Sequence, residues 1–455
     1  MRLLFVVQRY GAEVAGGAEQ CCRQFASRMA GRGHEVEVLT SAALSYTDWA
    51  DHYPIGTDVV GPVVVHRLSV RHPRDHRLFG ALNARMYGPV KPPLYLQREW
   101  MRQQGPDLPG LVPWLEAHAA SYDVVVFFTY LYQTTYAGLP VASRLAPTLL
   151  HPTAHDEPPL YLPLFDFVFR QAHAFGFLTP EEAELVETRF RVKRPSSVVG
   201  IGVDLEGGPG SAGGPGSASG AGSTGGLGPT GGAGSAGGSG SAGGSGSAEA
   251  AFRAAYGLGR RPYLLYVGRL DPHKGSDELY DFFCTYRRRH GGELALVVLG
   301  EPVKPVPFRP DVVMTGFVDE DRWRGAIEGA LALVAPGPFE SFSMSLTEAW
   351  AASKPALVQG WSEVLSGQAR RSRAAIPYRG YAEWEAAVEA VESDAGLRDR
   401  LGRAGRAYVE EHYRWDVVLE RYERQLEQLA ASRRWWLSPS GLRPQGAQGV
   451  EGAQG

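Results

Sequence analysis

Short runs of apolar residues recur along the chain and predict two series of buried β-strands. In the first half the runs are rich in Val, Leu and Phe: Leu3–Val7, Val36–Leu39, Val63–Leu68, Val124–Thr129, Thr148–Leu150 and Ala174–Leu178. The second half repeats the pattern: Tyr263–Val267, Leu294–Leu299, Val312–Thr315, Leu331–Ala335 and Ala356–Gln359. Such short, continuous apolar runs are typical of strands in a sheet that is covered on both faces.

Helix-like segments separate several of these strands. Ala18–Arg32 ends at Gly33, and Pro180–Phe190 follows Thr179, an N-cap residue, with acidic residues in its first turn. Alternation of strand and helix favours a parallel, doubly wound sheet. The sequence therefore predicts an α/β protein with two Rossmann-like domains in tandem.

A linker divides the two domains. Of residues 207–248, 20 of 42 are Gly and nearly all the others are Ser, Ala, Pro or Thr, which predicts a flexible coil. We expect an N-terminal domain at 1–206 and a C-terminal domain at 249–410. The last strong helix runs from about Arg398 to Ala430 with an interruption near His412 to Trp415, so residues 411–433 are predicted to cross to another domain. Residues 434–455 are expected to be disordered.

Charge, cysteine content and the length of apolar runs exclude several classes of protein. The 46 Lys and Arg against 49 Asp and Glu give a formal charge of −3, too balanced for a chain that binds nucleic acid through overall charge. Cys21, Cys22 and Cys284 have no partners at zinc spacing, so we expect neither a disulfide framework nor a metal site, and a reducing, cytoplasmic compartment. No apolar run reaches the ~20 residues of a spanning helix. Peripheral contact with the inner face of a membrane stays open.

Ligands of doubly wound folds lie at the carboxyl ends of the strands, so the loops there are the first candidates for a site. In the first half, Gly16 and Gly17 lie between the first strand and the first helix, where backbone N–H groups can approach a phosphate. A plain flexible loop is the alternative. His151 and His155 follow the strand at Thr148–Leu150, and we prefer His155 as the histidine that faces a cleft. Asp156 and Glu157 are expected to be loop and capping residues.

In the second half, Arg269 and Lys274 follow the strand Tyr263–Val267 and place two cations at its end, as a diphosphate requires. Glu340 and Glu348 flank the start of a helix. On one helix they would be about 12 Å apart, too far for the ~5 Å carboxylate pair of a retaining glycosidase. Their roles must therefore differ: Glu340 can face a sugar, and Glu348 can accept hydrogen bonds from a diol such as a ribose. A capped amphipathic helix with one exposed Glu at each end is the alternative.

These motifs together resemble glycosyltransferase family 4, retaining enzymes of the GT-B fold, in which two Rossmann-like domains face each other across a cleft. Glu340 and Glu348 match the family's E-x7-E pattern, and Arg269 and Lys274 match its GR-x4-KG pattern. The resemblance implies a nucleotide-diphosphate sugar as donor substrate and no other cofactor. It implies that Arg269 and Lys274 hold the diphosphate, Glu348 the ribose, and Glu340 and His155 the sugar.

The resemblance also implies that backbone groups of Phe342, Ser343 and Met344 contact sugar or phosphate, that Gly16 and Gly17 close on the diphosphate, and that the terminal helix around Trp415 and Tyr422 returns to the first domain. The family often has glycines where this chain has Ser341 and Ser343. The acceptor stays open among a glycan, a lipid and a small molecule. A non-catalytic nucleotide-sugar binding module, or another GT-B enzyme such as an epimerase, is the alternative.

Overall fold

A computed structural model of the protein describes residues 1–14, 16–88, 90–205, 245–303 and 305–436, without the side chains of 245–247 and 433–436. Residues 207–244 of the predicted linker and residues 437–455 of the predicted tail lie outside the described residues. Residues 245–248 of the predicted linker and 434–436 of the predicted tail are helical, where we expected coil and disorder. One helix begins at Ser245 because Phe252 on it is buried in the core, and the last helix extends to Trp436.

The N-terminal domain is built on an eight-stranded sheet. Its strands are β1 (Arg2–Val6), β2 (Glu35–Ser41), β3 (Gly56–Val60), β4 (Val63–Leu68), β5 (Val124–Phe128), β6 (Thr148–His151), β7 (Ala174–Phe177) and β8 (Ser196–Val198), in the spatial order β3-β4-β2-β1-β5-β6-β7-β8. All neighbouring strands are parallel except β3, which pairs with β4 in an antiparallel hairpin. The carboxyl ends of the parallel strands thus lie on one edge.

The C-terminal domain has a six-stranded, entirely parallel sheet. Its strands are β9 (Tyr263–Val267), β10 (Ala295–Leu299), β11 (Val312–Gly316), β12 (Ala332–Ala335), β13 (Ala356–Gln359) and β14 (Ala375–Tyr378), in the order β11-β10-β9-β12-β13-β14. The predicted doubly wound architecture is confirmed in both halves.

Helices join the strands in each domain. In the first they are α1 (Gly17–Gly31), α2 (His76–Met86), α3 (Leu94–Gln104), α4 (Leu111–His118), α5 (Gln133–Ala142), α6 (Leu164–Gln171) and α7 (Pro180–Phe190). In the second they are α8 (Ser245–Ala255), α9 (Ser276–His290), α10 (Glu320–Glu328), α11 (Met344–Ala351), α12 (Glu363–Ser372), α13 (Tyr381–Ser393), α14 (Ala395–His412) and α15 (Trp415–Trp436). In the described part of the chain, none of them is both long and apolar enough to cross a membrane.

Helix α15 crosses back to the N-terminal domain, as the resemblance implies. The Tyr422 ring is fully buried, with its centroid 4.4 Å from that of Phe25. The Trp415 ring meets the same phenylalanine edge to face at 5.7 Å. Gln425 Nε2 donates to the backbone oxygen of Phe175 at 2.7 Å. The core of the first domain therefore includes side chains from the last helix of the chain.

Two polar contacts also join the domains near the cleft. Arg371 on α12 forms a two-pronged ion pair with Glu181 on α7, in which its Nη2 lies 3.0 Å from Glu181 Oε2. Thr179, the N-cap of α7, donates its hydroxyl to the backbone oxygen of Ser341 at 3.2 Å. The start of α7 thus contacts the loop that precedes α11, and the domains are closed on each other.

Candidate active site

A cavity with about 630 Å³ of empty space, part of it open to solvent, lies between the domains. The N-terminal domain lines it with loops that follow β1, β5 and β6, and the C-terminal domain lines it with Ser341, Phe342, Ser343 and Met344. A second cavity of about 380 Å³ is lined by Gly268, Lys274 and Glu340 and shares Ser343 with the first. The carboxyl edges of both sheets therefore meet at one cleft, which is where the fold places a ligand.

Lys274 is held at the cleft by a short turn after β9. Asp271 caps this turn by accepting from His273 N at 3.0 Å, and Gly275 follows with φ 69°. A Cβ at Gly275 would lie 2.1 Å from the backbone oxygen of Pro336, so only glycine allows the two loops to approach this closely. The Lys274 ammonium consequently lies 3.4 Å from Glu340 Oε1.

Arg269 lies on the same loop. Its Nη2 is 3.6 Å from Asp271 Oδ2, and its Nη1 donates to the phenol oxygen of Tyr46 in the other domain. The neighbouring Tyr266 is buried beneath it and donates to the backbone oxygen of Arg269 at 2.8 Å. Burial and then the negative charges of Glu340 and Asp271 raise the pKa of Tyr266, so its hydroxyl stays protonated. The two predicted cations thus lie on one loop, the one that follows β9.

The loop before α11 has a strained backbone. Ser343, the N-cap of α11, has φ 68°, a left-handed conformation that favours glycine. Thr129 and Thr153 also have positive φ and line the same cavity. Phe342 is buried, and its backbone oxygen accepts from Gln368 Nε2. Strain of this kind persists where packing holds it and is common at ligand sites.

Glu348 lies on α11, five residues past the cavity-lining Ser343, and lines neither cavity. Its Oε2 atom is buried with no hydrogen-bond partner among the described residues. Burial, and to a lesser degree the charge of Asp204, raise the pKa of Glu348 to about 7. A buried carboxylate oxygen without a partner is costly, and a ligand hydroxyl could satisfy it.

The structure distinguishes the two candidate histidines. His151 is stacked against Phe25 and Phe128, its Nδ1 is 2.6 Å from the backbone oxygen of Gly176, and burial lowers its pKa to about 4. It is therefore a neutral core residue. His155 lines the cavity instead, as we expected.

His155 is paired with an acid that the sequence analysis assigned to loop and capping roles. Glu157 does lie in the loop after β6, at the N-cap position of the short 3-10 turn Pro158–Tyr161, but its side chain is buried and makes no capping hydrogen bond. Its Oε1 lies 3.1 Å from His155 Nδ1 and accepts from the Tyr130 hydroxyl at 2.9 Å. Burial alone would lower the pKa of His155, but the negative charge of Glu157 outweighs the effect of burial, so this pKa is raised. Among the more distant charges, Lys274 lowers the pKa of His155 and Glu340 raises it. The charges of Lys274 and Glu340 in the C-terminal domain therefore also act on His155.

Gly16 and Gly17 adjoin a buried ion pair. Arg9 follows β1 and donates to Glu19 Oε1 from Nε at 2.9 Å and from Nη2 at 2.5 Å. A Cβ at Gly16 would lie 2.3 Å from Glu19 Oε2, so glycine is required there. Gly17 and Glu19 line the larger cavity. Gly17 therefore lines the cavity, and Gly16 lies against the Arg9–Glu19 ion pair.

Comparison with known proteins bears on the C-terminal domain first. Residues 249–408 match the family described as glycosyl transferases group 1. An uncharacterized glycosyltransferase of Methanocaldococcus jannaschii is 27% identical over 165 residues, 34% of this chain and 42% of that protein. The alpha-D-kanosaminyltransferase of Streptomyces kanamyceticus is 27% identical over 168 residues, 33% and 42% of the two chains. The match to this chain thus spans less than half the length of these relatives. The segment that matches the family contains Arg269, Lys274, Glu340 and Glu348.

Solved structures resemble the whole chain. Sucrose-phosphate synthase from Thermosynechococcus elongatus has a TM-score of 0.64 at 16% identity, covering 95% of this chain and 100% of that one. Anabaena HepE in complex with UDP-glucose has a TM-score of 0.62 at 14% identity with the same coverage. The chain has the GT-B fold. The lipopolysaccharide glycosyltransferase WaaG resembles it as well, with a TM-score of 0.58 at 14% identity, covering 93% of this chain and 98% of that one.

Proposed function

We propose that the protein is a retaining glycosyltransferase that transfers a hexose from a nucleotide-diphosphate sugar to a hydroxyl acceptor, without a metal ion or another cofactor. The observation that carries the proposal is that two adjoining cavities lie at the cleft: His155 of the N-terminal domain lines the larger one, Lys274 and Glu340 of the C-terminal domain line the smaller one, and Ser343 lines both. The match of residues 249–408 to glycosyl transferases group 1 supports it. So does the GT-B fold, because HepE with this fold is found with UDP-glucose.

In this proposal the C-terminal domain binds the donor. Arg269 and Lys274 bind the diphosphate, and the backbone N–H groups at Ser343 and Met344 lie at the start of α11, where a helix favours anions. Glu348 binds a ribose hydroxyl through its unpartnered oxygen. From the opposite side, the loop of Gly16 and Gly17 approaches the diphosphate.

The chemistry follows from where charge develops. The bond between the anomeric carbon and the diphosphate oxygen breaks, and its electron pair leaves with the diphosphate. Arg269 and Lys274 stabilise that added negative charge in the cleft between the domains, where electrostatic interactions are stronger than in bulk water. The acceptor oxygen attacks from the face that the diphosphate leaves and passes its proton to the departing diphosphate oxygen, so the anomeric configuration is retained. Glu340 and His155 flank the sugar and orient it.

A donor screen tests the proposal. The full chain is mixed with UDP-, GDP-, ADP- and dTDP-sugars, first for thermal stabilisation and then for release of nucleoside diphosphate with a pool of glycans, lipid extracts and small hydroxyl compounds. We expect one nucleotide class to raise the melting temperature, because a ligand of the folded state stabilises it. Product NMR should show retained configuration, and EDTA should leave turnover unchanged. Stabilisation without turnover would favour the non-catalytic binding module.

Removal of the cations tests the assignment of the site. We expect Arg269→Ala combined with Lys274→Ala to lower donor turnover by roughly 100-fold or more, since single donors to a developing oxyanion are worth that much. Lys354→Ala is the matched control, because Lys354 lies in the same domain and lines neither cavity. Near wild-type turnover of the double variant would contradict the assignment.

A further inference from the structure

Tyr46 is a residue of the N-terminal domain that contacts a predicted donor-binding residue of the other domain. It lies in the turn that follows β2, at the carboxyl edge of the sheet. The Arg269 guanidinium carbon is 5.3 Å from the centre of its ring, and Arg269 Nη1 donates to its hydroxyl. The Arg9 guanidinium carbon is 5.0 Å from the same ring. One aromatic ring therefore interacts with cations from both domains.

The N-terminal side of this arrangement is fixed. Arg9 is 5% exposed, donates twice to Glu19, and gives its Nη1 to the backbone oxygen of Leu44 at 2.9 Å. Glu19 is buried in the first turn of α1, against Gly16. A guanidinium tied at three points does not move with the ring, so Tyr46 is anchored to the glycine loop.

The C-terminal side is less constrained. The Arg269 side chain is 25% exposed, and its nearest carboxylate is Asp271 at 3.6 Å, beyond ordinary hydrogen-bond distance. A long arginine side chain loses much conformational freedom when it binds a diphosphate, and a partner that restricts it beforehand reduces that cost. Tyr46 covers one face of the Arg269 guanidinium and accepts from Nη1, while other N–H groups of the fork can donate to an anion.

We propose that Tyr46 is a positioning residue for the donor, which holds the Arg269 guanidinium over its ring and so aligns it with the glycine loop of the facing domain. This inference rests on the proposed function, since it takes Arg269 as a ligand of the donor diphosphate. Tyr46 itself does not touch the reacting atoms. Because Tyr46 and Arg269 belong to different domains, the orientation of the Arg269 guanidinium depends on how the two domains close.

The test is titration calorimetry of the full chain with UDP, GDP, ADP and dTDP. We expect Tyr46→Leu, which keeps an apolar side chain in the turn, to weaken the tightest nucleoside diphosphate about tenfold, the value of a partly desolvated cation–π contact. Tyr46→Phe keeps the ring and should restore affinity to within roughly threefold of wild type. Tyr53→Leu is the matched control, because the Tyr53 ring also interacts with an arginine, Arg67 at 4.1 Å, in the same domain.

A second background separates positioning from general damage to the fold. If Tyr46 acts through Arg269, then Tyr46→Leu should cause no further loss of affinity in an Arg269→Ala protein. The inference is overturned if Tyr46→Leu weakens nucleotide binding a further tenfold in the Arg269→Ala protein. It is also overturned if Tyr46→Leu binds nucleotide as tightly as wild type, or if Tyr53→Leu loses as much affinity as Tyr46→Leu. If the wild type binds none of the four nucleotides, the proposed function itself is wrong, and the inference is wrong with it.

Discussion

Lys274 Nζ lies 3.4 Å from Glu340 Oε1, although 66 residues separate them in the sequence. Both side chains are mostly buried, with exposed fractions of 11% and 12%. An ion pair at this depth is costly to break by removing one partner, because the other charge is left uncompensated. A donor that supplies a diphosphate to the lysine and sugar hydroxyls to the glutamate can replace these interactions.

Glu157→Gln should lower the pKa of His155. Glu157 is what holds this pKa above its usual value against burial, so the glutamine variant leaves burial and Lys274 dominant. NMR titration of the imidazole measures the change. A histidine with a raised pKa stabilises the fold below about pH 6.5, and this contribution is lost as the pH rises through the folded value. The variant should therefore lose stability mainly at low pH.

Asp156→Asn is the matched control for Glu157→Gln. Asp156 is exposed and accepts from the Tyr161 hydroxyl at 2.5 Å, away from the histidine. An equal shift of the His155 titration in both variants would show that Glu157 has no specific effect.

Ser343→Gly should stabilise the C-terminal domain. The left-handed backbone at Ser343 costs a non-glycine residue about 1–2 kcal/mol, and the greater freedom of glycine in the unfolded chain offsets part of that gain. We expect a net increase of about 0.5–1 kcal/mol in the free energy of unfolding, measured by urea denaturation. Ser341→Gly, two residues away and without positive φ, should lower it. Destabilisation by both changes would contradict the strain argument.

Glu348→Gln should stabilise the ligand-free protein above neutral pH. The pKa of Glu348 is raised to about 7, so the folded state binds a proton that the unfolded state does not, and stability falls as the pH rises from about 4.5 through 7. Glutamine removes the buried charge and should add about 2 kcal/mol at pH 8 but little at pH 4.5.

The exposed Glu363 on α12 provides the control for Glu348→Gln. Glu363→Gln should give the same pH profile as wild type. If Glu348→Gln also left the profile unchanged, Glu348 would be charged and solvated in the folded protein. On the proposed function, Glu348→Gln should in addition weaken nucleotide binding while it stabilises the fold.

Gly202→Ala should loosen the attachment of α15. A Cβ at Gly202 would lie 2.2 Å from the Trp415 ring, which is buried against the first domain. Overpacking of this kind costs about 1–3 kcal/mol, and thermal unfolding with tryptophan fluorescence should detect it. Gly31→Ala serves as the control, because a Cβ there meets nothing within 4 Å. An unchanged melting temperature for Gly202→Ala would show that the two elements do not pack as closely as described.

The sequence predicted those elements whose pattern is local. β9, β13 and α7 have the predicted bounds, and Thr179 caps α7 by accepting from Glu182 N. Three strands were missed for identifiable reasons. β3 is a solvent-exposed edge strand, β8 is only three residues long, and β14 carries Pro377 on the sheet edge. None of the three has the continuous apolar run that marks a buried strand.

The candidate site was predicted only in part, because some of its contacts join residues that are far apart in the sequence. Lys274 and Glu340 belong to motifs within single loops, which local spacing reveals. Tyr46 is 223 residues from Arg269, and its role depends on how the two domains close. Arg9 could have been noticed, because it directly follows β1 at the carboxyl edge of the sheet. The pairing of Glu157 with His155 depends on burial, which two adjacent polar residues in a loop do not indicate.

The return of α15 to the first domain has a consequence for biosynthesis. Phe25 and His151 are buried in part by Trp415 and Tyr422, which the ribosome adds more than 200 residues later. Domains usually fold one after another as they emerge, the N-terminal one first. Here an apolar surface of the first domain stays uncovered until α15 has been synthesised, so a fragment that ends before Trp415 should aggregate and need chaperones to stay in solution.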